Sequence, residues 1–244
     1  MGTSKFDFVL SIGGEAGQGI ATPGDILARI FVRRGLHLYT YNAYQSIIRG
    51  GHIFLTIRIS EEELHTHGDH LDLLLCLNQD TMDRHLGLMG PGSRVIYNID
   101  SIKPGETGAG VHLCPLPVRE ITTTRNKLVQ NTIAVGVIMS LLGEGFQDLE
   151  DSLALRFSRH GKSVVDENIE AAKSGYDYAA TNFESIGTGL PRGSKPLGVW
   201  AGNDAIAMGG AAAGVKFYAA YPMSPATGVL HWMAQNARDL DIIV

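Results

Sequence analysis

The chain's pattern predicts an α/β fold: a mainly parallel open sheet with flanking helices. Three observations carry this. Short apolar runs alternate with stretches of helical period over residues 6–180, the pattern of a layered α/β domain. The first apolar run passes through a glycine-rich turn straight into an amphipathic stretch, the opening of a strand–turn–helix unit. The run from Leu71 to Leu77 is nearly continuous in apolar residues, as in a strand covered on both faces.

Residues 6–12 read as a buried strand, ending in Gly13-Gly14-Glu15-Ala16-Gly17-Gln18-Gly19. In residues 20–34, Ile26, Leu27, Ile30 and Phe31 fall at helical spacing, and Gly35 stands where a helix-ending glycine belongs. Residues 36–41 form a second short strand. Ile53, Leu55, Ile57 and Ile59 alternate with period two, the mark of a strand. Residues 61–70 are a polar loop, and 71–77, 94–97 and 111–114 are further strands. Three helices follow: an apolar one at 126–142, an amphipathic one at 147–159 and a more polar one at 163–180.

Gly187, Gly189, Pro191, Gly193, Ser194 and Pro196 crowd into one stretch, a linker composition. The expected division is a first domain at 1–185, a linker at 186–196 and a second segment at 197–244. That segment offers an Ala- and Gly-rich stretch at 202–214, a strand-like stretch at 215–221, a helix at 225–237 and a strand begun at 241–244. It is too short to bury a sheet of its own, so the natural chain is expected to continue.

The 244 residues are 44% hydrophobic and 18% charged, as in soluble globular proteins. A net charge of −5 with scattered Lys and Arg speaks against nucleic acid as a partner. The longest apolar run, residues 133–142, falls well short of the roughly 20 residues of a membrane span. No signal peptide is visible, so a cytoplasmic location is expected. Cys76 and Cys114 read as buried free thiols, too few for an iron–sulfur cluster, which takes about four thiolates.

Four motifs bear on chemistry. The glycine turn sets backbone N–H groups where an anion can sit. Its order, Gly14-x-x-Gly17-x-Gly19, reverses the dinucleotide fingerprint, and no acid follows the second strand for a ribose. A coenzyme or anion contact, a purely structural tight turn and, least favoured, a dinucleotide site all remain open. In Gln45-Ser46-Ile47-Ile48-Arg49-Gly50-Gly51-His52, Arg49 could clamp a phosphate or carboxylate or simply pair locally. His65-Thr66-His67-Gly68-Asp69-His70 has metal-ligand residue types but reads as a solvated loop, and no metal is expected. Tyr221-Pro222-Met223-Ser224-Pro225-Ala226-Thr227 is a proline-stiffened turn after a strand, where open α/β sheets bind ligands.

Taken in order, these motifs resemble the 2-oxoacid:acceptor oxidoreductase family. Gly13 to Ile20 looks like the signature of its gamma subunit, with Ala16 where glycine is usual. Gln45, Ser46, Arg49-Gly50-Gly51, Asp72, Asn78, Asn131, Asn168 and Gly175-Tyr176 fit the same pattern. Gly202-Asn203-Asp204-Ala205 and the Tyr221–Thr227 stretch resemble the opening of the alpha subunit, with Met223 and Ser224 replacing the usual Ile and Thr.

Gamma before alpha in one chain is similar to the fused large subunits of two-subunit enzymes, often specific for 2-oxoglutarate. The resemblance implies a subunit that helps convert a 2-oxoacid and coenzyme A to acyl-CoA, carbon dioxide and reduced ferredoxin. It implies thiamine diphosphate and an iron–sulfur cluster in the complex, held mainly by a partner beta subunit. Residues 197–244 would then begin a second α/β domain of the pyrimidine-binding type. Ser224, Tyr221, Pro222 and Thr227 would meet the substrate. The resemblance sets the gamma domain beside the active site but fixes no contact there; that Gly14, Gly17, Gln18, Gly19 and Arg49 face coenzyme A is expected from the turn's free N–H groups and the Arg side chain. No catalytic residue is expected within the chain, which should be inactive by itself. Two other classes stay in view: a stand-alone nucleotide-binding module and a non-catalytic assembly domain.

Overall fold

The structure, a computed structural model, describes residues 5–43, 50–122, 126–187, 189–223 and 225–244, apart from the side chains of residues 127 and 128. In chain order the strands are β1 (Asp7–Ala16), β2 (His37–Ala43), β3 (Gly50–Ser60), β4 (Leu71–Cys76), β5 (Met89–Asn98) and β6 (His112–Leu116). The helices are α1 (Ala21–Arg33), α2 (Gln79–His85), α3 (Val118–Ile121), α4 (Lys127–Leu141), α5 (Gln147–Phe157), α6 (Lys162–Asn182), α7 (Gly202–Ala212) and α8 (Thr227–Leu240).

One six-stranded sheet has the order β2-β3-β1-β4-β5-β6. β1, β4, β5 and β6 pair in parallel, while β3 runs antiparallel to both β1 and β2. The fold is thus the expected α/β class with a mostly parallel sheet. Pro115 is tolerated because β6 is an edge strand.

Strand alternation sends side chains to two faces. Leu10, Ile12, Ile57, Leu73, Leu75 and Ile96 join the core shared with α1, α4, α5 and α6. Val9, Leu74, Cys76, Val95 and Tyr97 pack with Met82 of α2. Helix α1 ends as its sequence suggests. Gly35 takes φ +82°, its N–H donates to the Val32 carbonyl at 2.9 Å, and Leu36 N–H donates to Phe31 at 3.3 Å. This is a Schellman closure.

The chain falls into two compact units, Met1–Leu197 and Gly198–Val244. The glycine- and proline-rich stretch at 186–196 is fastened to the first. Leu190 N–H donates to Glu144 Oε1 at 2.6 Å. Gly193 N–H donates to the Arg34 carbonyl, and Leu197 N–H to the Val32 carbonyl, each at 2.8 Å.

Three local expectations need correction. β1 does not stop at Ile12 but runs on through Gly13 and Gly14 to Ala16, because β3 pairs with it along that length. Helix α2 fills the connection between β4 and β5, where no helix was expected. The strand-like stretches at 215–221 and 241–244 meet, among the described residues, only as the parallel bridge Phe217–Ile243.

Candidate functional site

The carboxyl ends of β1 and β4 lie side by side, held by parallel pairing and by Leu77 N–H donating to the Gly13 carbonyl at 2.9 Å. The turn that follows β1 is closed on itself. Gln18 Oε1 accepts from Glu15 N–H at 2.7 Å, and Gln18 N–H donates to the Glu15 carbonyl at 3.0 Å. Gly17 and Gly19 take φ +95° and +80°, a region costly for other residues. Asn131 of α4 donates to the Gln18 carbonyl at 2.6 Å, tying the turn to the helix layer.

The glycines divide by role. A Cβ at Gly14 would stand 2.6 Å from Gln18 Oε1, so glycine there admits the clasp. A Cβ at Gly13 would stand 2.4 Å from Thr81 Cγ2, so glycine there lets α2 approach the strand. Among the described residues nothing lies within 4 Å of a Cβ placed at Gly17. Helix α1 then begins with Ile20 as its N-cap and no side-chain cap. Its first N–H groups lack the usual hydroxyl or carboxamide partner. Arg49, Gln45 and Ser46 lie outside the described residues.

Beside this turn stands a histidine pair that the sequence reading missed. His52 on β3 is paired in register with Glu15. Its Nε2 lies 2.7 Å from Nε2 of His85, the last residue of α2. One ring must donate and the other accept. Among the described residues the buried Nδ1 atoms of both have no hydrogen-bond partner, and Asp80 Oδ2 stands 3.7 Å from that of His52. Burial lowers the His52 pKa. Burial, with His52 alongside, lowers that of His85 to about 4. The pair is therefore neutral near pH 7. Its partners lie 33 residues apart, and no local pattern announces such a pair.

Asn78 was singled out by motif alone. It caps α2, its Oδ1 accepting from Thr81 N–H at 2.9 Å and from the Thr81 hydroxyl at 2.8 Å. Asp72 accepts from Val9 N–H at 2.7 Å. In the histidine loop, His70 Nε2 lies 3.6 Å from Asp72, and His67 rests against the Tyr41 ring at 4.8 Å. Among the described residues no group of three or more His, Cys, Asp or Glu could hold a metal ion. Cys76 and Cys114 are buried free thiols. Burial raises both pKa values, that of Cys114 to about 11, which leaves neither as a thiolate.

In the second unit, two motifs of the sequence meet. Asn203 Nδ2 donates to the Pro225 carbonyl at 2.8 Å, so the start of α7 pins the turn before α8. Gly228 is required alongside, since a Cβ there would lie 2.6 Å from Asn203 Nδ2. Thr227 N–H donates to the Met223 carbonyl at 3.0 Å. Tyr221 is 80% exposed and Met223 63%, with Pro222 exposed between them. The face of this turn is therefore open. Ser224 lies outside the described residues.

Comparison with known proteins places these features. The family model described as pyruvate ferredoxin/flavodoxin oxidoreductase matches residues 9–178, inside the first unit. Subunit alpha of 2-oxoacid:ferredoxin oxidoreductase 2 from Aeropyrum pernix is 24% identical over 91% of this chain and 42% of its own length. The ketoisovalerate oxidoreductase subunit VorA of Methanothermobacter thermautotrophicus is 29% identical over 72% of this chain and 37% of its own.

Among solved structures, the 2-oxoglutarate:ferredoxin oxidoreductase of Magnetococcus marinus superposes with a TM-score of 0.84 at 27% identity. The match covers 99% of this chain and 44% of that one. That protein was solved with 2-oxoglutarate, coenzyme A and succinyl-CoA bound. The chain spans about two fifths of the length of these two curated relatives.

Proposed function

Because the chain belongs to the pyruvate ferredoxin/flavodoxin oxidoreductase family, we propose that it is part of the large subunit of a 2-oxoacid:ferredoxin oxidoreductase. In this reading residues 1–185 are a gamma-type domain, and residues 197–244 open an alpha-type pyrimidine-binding domain. The complex oxidatively decarboxylates a 2-oxoacid with coenzyme A, yielding acyl-CoA, carbon dioxide and reduced ferredoxin. One observation carries the proposal. A single chain of the Magnetococcus marinus enzyme matches both units of this chain, covering 99% of it.

The residues present define what this chain contributes. Two buried thiols with raised pKa values do not fit an iron–sulfur cluster, so residues 1–244 do not supply its ligands in this reading, which gives the cluster to a beta subunit as the family resemblance implies. The described residues hold no metal-ligating group of the kind a Mg²⁺-bound diphosphate takes. In this reading most of the thiamine diphosphate site also lies on the beta subunit, as the family resemblance implies. When bound, that cofactor supplies carbanion stabilisation.

This chain's part is to cover and orient. The exposed stretch Tyr221–Met223 suits an apolar wall over a planar ring, with the Ser224 hydroxyl donating to the 2-oxoacid carboxylate and Tyr221, Pro222 and Thr227 shaping the pocket. The turn at Gly14, Gly17, Gln18 and Gly19, with Arg49, faces coenzyme A. The lack of any described atom within 4 Å of a Cβ at Gly17 and the side-chain-uncapped start of α1 support a phosphate contact there.

The substrate is 2-oxoglutarate in this proposal, as in the Magnetococcus marinus protein. A branched 2-oxoacid is the second reading, favoured by the similarity to a ketoisovalerate oxidoreductase subunit. Both are tested by purifying the complex from its source and following dye reduction with 2-oxoglutarate, 2-oxoisovalerate or pyruvate, with and without coenzyme A. Coenzyme A-dependent reduction fastest with 2-oxoglutarate is expected. Fastest reduction with 2-oxoisovalerate would replace the substrate, and no 2-oxoacid-dependent reduction would overturn the function.

A further inference from the structure

We propose that the recess formed by α1, α5 and residues 192–196 is a binding site for a phosphate-bearing small molecule. The inference is independent of the oxoacid chemistry above. The recess has a volume of about 360 Å³, within the roughly 300–1,000 Å³ range of small-molecule pockets. It is larger than a lone phosphate needs, so an organic phosphate fits it better than the inorganic ion.

Its floor is rigid. The Arg34 guanidinium pairs with the buried Glu144 carboxylate and lies 2.9 Å from Asp148 Oδ2. Glu144 also accepts Leu190 N–H, and the Arg34 carbonyl accepts Gly193 N–H. Backbones meet closely here: a Cβ at Gly193 would stand 2.1 Å from the Gly35 carbonyl oxygen. The backbone of residues 190–193 is thus held on the end of α1, so binding need not order that segment.

The charge of the rim is what the fold leaves unspent. With Arg34 engaged by two carboxylates, Arg33, Arg192 and Lys195 remain in the lining. None of the three has an ion-pair partner among the described residues. Arg33 makes only a 3.3 Å bond to the Ser152 hydroxyl. Against them stands Asp151, which accepts from Gln147 at 2.9 Å. The chain carries a net charge of −5, so three unpaired cations around one recess run against its overall character. Two guanidinium forks and an ammonium match the several oxygens of a phosphate group better than a single carboxylate.

The test is isothermal titration of the full chain with inorganic pyrophosphate. Saturable binding is expected, weakened about tenfold or more in the double variant Arg192→Ala/Lys195→Ala. Both side chains are exposed, so an unchanged unfolding midpoint should show that the variant is folded. The charge-keeping variant Arg192→Lys/Lys195→Arg should retain most of the affinity. Absence of saturable binding at millimolar pyrophosphate, or undiminished affinity in the folded double variant, would overturn the proposal. The readout is binding rather than turnover, so failure here and failure of the oxidoreductase reading are distinguishable.

Discussion

His85 is buried, with 6% of its surface exposed, and its pKa is lowered from 6.5 to about 4, first by burial and then by His52. Arg84 pushes the same way and Asp80 opposes. A base whose pKa is depressed on folding favours the native state above its unfolded value. That contribution is lost as pH falls from about 6.5 towards about 4, because the unfolded chain takes up the proton first. The stability at stake is about 1–3 kcal/mol, of the order such a shift carries. Denaturation midpoints of the wild type should drop across this window, and those of His85→Phe should drop less. Parallel curves would remove the pair as a source of acid lability. Ser224 belongs to the same scale. If its hydroxyl donates to the substrate carboxylate, Ser224→Ala in the complete enzyme should lower kcat/KM about tenfold or more. Unchanged kinetics would take Ser224 out of the site. The two residues differ in legibility. Ser224 stands in a proline-framed turn that the sequence marks, and its substrate role rests on the family resemblance. The His52–His85 pair exists only because β3 and the end of α2 meet in space.

At the scale of elements, α4 and α6 show how small residues set a helix crossing. A Cβ at Gly136 would stand 1.9 Å from the Ala172 carbonyl oxygen, and one at Gly175 would stand 2.1 Å from that of Ile133. Both obstacles are backbone, which cannot turn aside as a side chain can. Gly136→Ala and Gly175→Ala should each therefore lower stability despite alanine's better helix propensity of about 1 kcal/mol. A net loss of about 1–3 kcal/mol is expected, read as a fall in the urea midpoint with little change in slope. A gain in either variant would mean that the helices do not meet there. The apolar run of α4 and the glycine after α1 were legible because period and capping are local signals. α2 was missed because seven residues carry little periodicity, although Asn78 caps it. The extension of β1 through Gly13 and Gly14 was missed for the opposite reason. Glycines suggest a turn until the partner strand and the close helix are seen.

For the whole molecule, the two units are unequally supplied with core. The first buries a large cluster on one sheet face and a second against α2. The second unit's described core is Ala207, Val229, Met233 and Ile242. Trp200, Ile206, Phe217, Tyr221, Met223 and Ile243 are each 60% exposed or more. Hydrophobic burial is the main term that offsets chain entropy, so a unit this lightly packed opens at low free-energy cost. Proteases cut such openings first when closing is fast relative to cleavage. Brief digestion of the 244-residue chain should therefore remove the second unit and leave a resistant fragment ending near Leu197, identified by mass spectrometry. The fastening of residues 190–197 to Val32, Arg34 and Glu144 places the expected cut after that point and not within the glycine-rich stretch. In the complex proposed above, the same bonds should resist where partner surfaces cover the exposed aromatic residues. Equal resistance of the two units in the isolated chain would show that the second is stable by itself. First cuts at 186–196 would show that this stretch behaves as the linker its composition suggested.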